Sequence, residues 1–304
     1  MEDKEKSLSE LQQKINEYMD EVNSLPRKEM DNLSTQDMFF ILHKTFEDGS
    51  PIQFKPAISN EIIEQIPFYI LFRKYLDKIN DETQLKLTAR GNLPRKICLE
   101  LYDTGIIKEE MIEKGIVKLN KEADSVVMQN LKIIGLLSGI TKKRNNKISL
   151  TKMGKDLYGS KDQSPLFRKV FETNAFKFNL GYHDGYPQES QVQSVIGYTI
   201  YLLLKYGKEK RDITFYVDKN LEAFPQLPDD FGSNWSTPKE SYSRCYHIRI
   251  FERFLSYYGF VLIDQERIRG MIDGKIEIRA TDLFRKVLEI KKESFKFKKA
   301  RHEA

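Results

Sequence analysis

The chain has 304 residues, 40% hydrophobic and 12% aromatic, enough for one large or two ordinary domains with real cores. Its 50 basic and 45 acidic side chains leave a net charge of +5. Overall charge therefore does not mark a dedicated polyanion binder, and any nucleic-acid argument must rest on local clusters. No apolar run reaches the ~20 residues a membrane-spanning helix needs, and the polar start MEDKEKSLSE is no secretion signal. Cys98 and Cys245 lie far apart in apolar helical patterns. The expectation is a cytoplasmic chain with buried thiols and no membrane contact.

In chain order, residues 7–25 read as a helix. Ser7 and Glu10 form a capping box, and Leu8, Leu11, Ile15, Tyr18, Val22 and Leu25 recur at alternating steps of three and four before Pro26. This seam either packs on the chain's own body or serves as a homodimerisation arm. A second helix starts at Ser34, with Asp37 completing its cap, and stops near Gly49-Ser50-Pro51. A third begins near Ser59, and Pro67 must kink or break it.

Leu85–Leu87 alternates as a short strand, followed by a Thr88–Gly91 turn and a helix after Pro94. Residues 148–154 repeat the pattern apolar-polar-Leu-Thr-x-x-Gly, so the two strands are expected to pair. Between them, Val126, Val127, Leu131, Ile134 and Leu137 mark a helix ended by Gly139. Thr141–Arg144 and Lys147–Leu150 flank Asn145-Asn146, two residues that tolerate positive φ and suit a tight hairpin. Thr151 caps the helix that follows.

Residues 159–164 are the expected domain boundary. Beyond it lie helices at 166–178, 191–206 and 213–224, then one opened by Thr237, Pro238 and Glu240 and running to Gly259. Phe260–Ile263 reads as a strand, Gln265–Gly274 as a long polar connection, Lys275–Arg279 as a second strand, and Thr281 caps a last helix through Leu288. Helix, hairpin and Thr-capped helix thus occur twice. The expected fold is mainly α, an all-helical chain apart from two winged-helix-like units with small β-hairpin wings. Its parts are an amphipathic helix (1–30), a helical region ending in the first unit (31–160), a second unit (161–290) and a basic flexible tail (291–304).

The stretches LTARGNLP (87–94), ISLTKMGKDLY (148–158) and FKFNLGYHDGYP (176–187) resemble motifs of uncharacterised bacterial proteins described as plasmid open-reading-frame or hypothetical proteins. The resemblance covers about residues 85–260. It implies a bacterial or mobile-element origin and agrees with the winged-helix reading, but it carries no activity onto any residue.

His183-Asp184 is the most enzyme-like spot, although side chains adjacent on a tight turn diverge and the remaining histidines are scattered. A structural turn is the plainer reading. With no Walker-type glycine loop, nucleophile elbow or zinc-spaced Cys/His set, no enzyme activity, cofactor or metal is expected. A winged helix touches phosphate with its wing and the major groove with the preceding helix. The wing residues Lys142, Lys143, Arg144 and Lys147, and the helix residues Lys239, Ser243, Arg244, Arg249 and Arg253, are the candidate contacts to double-stranded DNA, in a regulatory role. The competing reading is a non-catalytic interaction scaffold that uses the same units for packing.

Overall fold

Helices in this chain begin where short polar side chains can take up free amides. The computed structural model describes residues 2–182, 184–186, 191–232, 236–268 and 271–291, with side chains except at 2–7, 266–268 and 271–273. Helix α1 (Glu2–Ser24) starts five residues before the expected Ser7 cap, whose side chain lies outside the described residues. A short ladder of β1 (Pro26–Arg27) and β2 (Leu33–Ser34) leads into α2 (Thr35–His43). There Ser34 and Asp37 cap reciprocally, Asp37 N donating to Ser34 Oγ at 3.0 Å. Next come β3 (Ile52–Phe54), α3 (Asn60–Ile63) and α4 (Pro67–Asp81). Pro67 opens α4, where its missing N–H costs nothing, so the expected break is there.

The first unit continues with β4 (Leu85–Lys86), α5 (Arg95–Tyr102), α6 (Glu110–Glu113), α7 (Val126–Leu137), β5 (Thr141–Arg144), β6 (Lys147–Leu150) and α8 (Lys152–Gly159). Asn145 and Asn146 both have positive φ, 50° and 55°, making the tight turn between β5 and β6. β4 pairs with β6, Leu85 opposite Ile148, which gives a three-stranded sheet of order β4-β6-β5.

After α9 (Ser164–Phe176) the order repeats: α10 (Ile196–Tyr206), β7 (Arg211–Asp212), α11 (Ile213–Ala223) and α12 (Pro238–Tyr246). Helix α12 is prolonged by a π-helical segment, His247–Leu255. Then follow β8 (Val261–Ile268), β9 (Met271–Ala280) and α13 (Asp282–Val287). The second sheet has the equivalent order, β7-β9-β8. The stretch expected as a long polar connection is instead strand on both sides. The ladder runs out to Ile268 opposite Met271, with a bulge where Gln265 and Arg267 face Ile276 and Ile272. Charged residues concealed it, because pairing two backbones needs no apolar alternation in the sequence. The last helix stops at Val287 rather than reaching Leu288, and β10 (Leu288–Ile290) pairs antiparallel with β3.

The chain is thus mainly helical but not all-helical: among the described residues four small antiparallel sheets accompany the helices. One hydrophobic cluster runs through both units and across residue 160. Residues 26–54 pack towards the second unit: α2 and β3 lie against α10, and Lys205 Nζ donates to Asp31 Oδ2 at 2.7 Å. Phe171 of α9 sits at the centre, its ring against Phe54, Phe167, Phe254, Tyr258 and Phe260. The expected tail from residue 292 lies outside the described residues.

Candidate nucleic-acid interface

Residues directly opposite on neighbouring strands point to one face of a sheet. In the first unit Arg144 lies opposite Lys147, and Lys147 opposite Lys86, so three cations cross the sheet in a row. Lys142 lies two residues from Arg144 and shares its face. All four side chains are exposed, and none has a carboxylate partner among the described residues. Lys147 Nζ donates only to the Gln84 amide oxygen, at 3.3 Å. Like charges opposite one another repel, and here no local anion relieves them.

The turn that follows β4 is fastened to this sheet. Asn146 Nδ2 donates to the carbonyls of Leu87 (3.2 Å) and Thr88 (2.7 Å), and Leu87 N donates back to Asn146 O at 2.9 Å. From beneath, Lys132 of α7 donates to Gly91 O at 3.1 Å and pairs with Glu122 at 2.5 Å, while Glu122 accepts from Leu93 N at 2.6 Å. Gly91 has φ +78°, and the Lys143 ammonium lies 2.5 Å from where a Cβ would stand, so glycine lets Lys143 lie over the turn. Arg90, next in the chain to Gly91, is exposed. Lys86 was missed in the sequence, because it stands about sixty residues from Lys147 and only the pairing of β4 with β6 brings them together. The repeated Leu-Thr-x-x-Gly pattern that predicts this pairing was the available signal.

The equivalent row of the second sheet is acidic, and lysines neutralise it. Position for position, Arg144, Lys147 and Lys86 correspond to Asp264, Glu277 and Asp212. Lys210 sits 2.7 Å from Asp264 and 3.4 Å from Glu277, and Lys275 sits 2.6 Å from Glu277. Lys210 holds the Asp264 carboxyl below the usual carboxylate range, and Lys275 does the same for Glu277.

The helix contacts expected from the sequence divide. Arg249 is corrected outright: its side chain is 1% exposed, and its Nε and Nη2 donate to Asp184 at 2.5 and 3.1 Å. A fully enclosed, bidentate ion pair cannot also reach a DNA groove. Gly181 permits it, since a Cβ there would stand 2.7 Å from Arg249 Nη2. Arg253 is half-buried and faces inward, Nη1 donating to Tyr182 O at 3.5 Å. It also lies near enough to Glu109 to favour that carboxylate, although burial dominates and pushes the Glu109 carboxyl up. Lys239 is exposed but paired with Asp218 at 2.7 Å. Arg244 is exposed and, with half-buried Ser243, lines an open groove of about 820 Å³ between α11, the start of α12 and β9, which Asp212 and Glu240 also line.

Helix α7, the one before the first hairpin, is enclosed as well. Gln129 and Asn130 are 6% and 1% exposed, and Lys132 is committed to Glu122, so no base-reading surface remains on it. Asp184 spends its carboxylate on Arg249 and on Tyr186 N, at 3.0 Å, and His183 lies outside the described residues. Among the described residues no group of three or more His, Cys, Asp or Glu side chains is placed to hold a metal, and no helix is long and apolar enough to cross a membrane. No family model matches the chain, and neither a curated protein nor a solved structure matches it.

Proposed function

We propose that the protein binds duplex DNA through the outer face of its first sheet, contacting phosphates without reading base sequence. The observation that carries this is the row Lys86–Lys147–Arg144, with Lys142 on the same face, free of any carboxylate partner among the described residues. Such a row is costly in isolation and favourable against a string of phosphates, whose condensed counterions it would release. Two units with the same order of helices and the same strand order support the winged-helix reading, with β5–β6 as the wing that touches the backbone. The burial of α7 supports backbone contact over groove readout. The second unit, with its acidic row and its enclosed Arg249, is the structural partner in this arrangement.

The test is the salt dependence of binding to random-sequence duplex DNA. With four to six phosphates contacted, log K should fall with log salt at a slope of about −4 to −5. Replacing Lys142, Arg144 and Lys147 together by glutamate should flatten that slope by about 3 and weaken binding to every sequence alike. A triple variant with unaltered slope would transfer binding elsewhere. Absence of binding at low salt would leave the scaffold reading, which the exposed apolar stripe of α1 favours.

A further inference from the structure

Helix α1 leaves the body and presents its seam to solvent. Leu8, Leu11, Ile15 and Tyr18 are 66, 55, 46 and 65% exposed, and Met19 and Leu25 are 48 and 55% exposed. Only its last turn, Val22 to Ser24, is half-buried, where the helix meets α2. Six large apolar side chains, five on the helix and Leu25 just past its end, are not a surface that a monomer keeps in water without a partner. Their three-four spacing is that of a helix made to pack lengthwise on another helix.

We propose that this partner is α1 of a second copy, packed antiparallel. The register sets Leu11 against Val22 and Ile15 against Tyr18 of the other copy, with Leu8 reaching Leu25 just past the helix end. Three features favour that direction. Lys14 and Glu21 each precede a seam residue, and in this register each Lys14 lies beside the other copy's Glu21, giving two opposite-charge contacts by symmetry. A parallel pair sets Lys14 beside Met19 and forms no ion pair along the flanks. An antiparallel pair also keeps the bodies, attached after Ser24, at opposite ends of a helix about 34 Å long, whereas a parallel pair crowds both at one end. Three heptads are marginal for an isolated coiled coil, so the dimer forms and dissociates with concentration.

Sedimentation of the full chain without DNA tests this separately from the DNA reading. Wild-type protein should shift with concentration towards twice the chain mass. Ile15→Asp should remain a monomer while the body melts at the same temperature. Lys14→Glu and Glu21→Lys should each weaken the dimer about tenfold, and the two together should restore it. A monomer at every concentration, or a dimer indifferent to Ile15→Asp, overturns the proposal. A double variant as weak as its parents overturns the antiparallel direction.

Discussion

At the scale of single residues, the most informative pair is Arg249 and Asp184. Read in the sequence, one is a groove-facing cation and the other half of a His-Asp dyad; in the fold each neutralises the other. Arg249 lies in the π-helical stretch His247–Leu255, whose wider turn departs from the 3.6-residue period of an ordinary helix. Arg249→Ala would leave a carboxylate enclosed and unpaired. It should cost about 3–5 kcal/mol in urea melts while leaving the DNA affinity of the folded fraction unchanged. Glu109 gives a pH signature. Burial raises its carboxyl above its ordinary 4.5, against the hydrogen bonds it accepts from Ser125 and Val126 N. Its contribution to stability is therefore present below 4.5 and lost as pH rises through the folded value. Glu109→Gln should flatten stability across that interval, as measured by denaturant midpoints at stepped pH. The Cys98 thiol, pushed up to about 12 mainly by burial, should stay unmodified by thiol reagents until the chain unfolds.

At the scale of elements, local chemistry was legible and distant pairing was not. Ser34 with Asp37, Pro67, Asn145-Asn146, Thr151, Thr237 with Glu240 and Thr281 all act where their side chains predict, because a cap or tight turn is decided within four residues. The twice-used Leu-Thr-x-x-Gly pattern foretold β4 against β6, yet its glycines serve different ends. Gly91 supplies a left-handed turn, whereas Gly154 stands where a Cβ would lie 2.0 Å from Ile140 O. Gly154→Ala should therefore destabilise by about 1–3 kcal/mol through overpacking, in thermal or urea melts. The cores of β8 and β9 were read as strands, but their extension through 264–268 and 271–274 and the three-residue β10 escaped notice, the first for want of apolar alternation and the second because three residues continue a helical pattern equally well. Of the candidate site, the four hairpin cations were legible. Lys86 was not, and the burial of α7 could not be read from its composition.

At the scale of the whole molecule, the near-neutral total conceals a division. The same row of positions is basic in one sheet and acidic in the other, so averaging over the chain erased the feature that bears on a partner. A total of +5 from 50 basic and 45 acidic groups therefore says nothing about one sheet's unpaired row. The long-range joining of β3 to β10 was equally invisible, because it links residues 52–54 to 288–290 through three facing residue pairs that leave no local trace.

That joining acts as a clasp between the two halves of the chain. Severing the exposed link between α8 and α9 would not set two lobes free, for Ile52–Phe54 would still be laced to Leu288–Ile290 and α2 still seated on α10. Residues 1–160 and 161–304, made as separate polypeptides and mixed, should reassemble and travel through a sizing column as one particle, parting only in denaturant. The protein is in this sense already a split-complementation pair that happens to be translated in one piece.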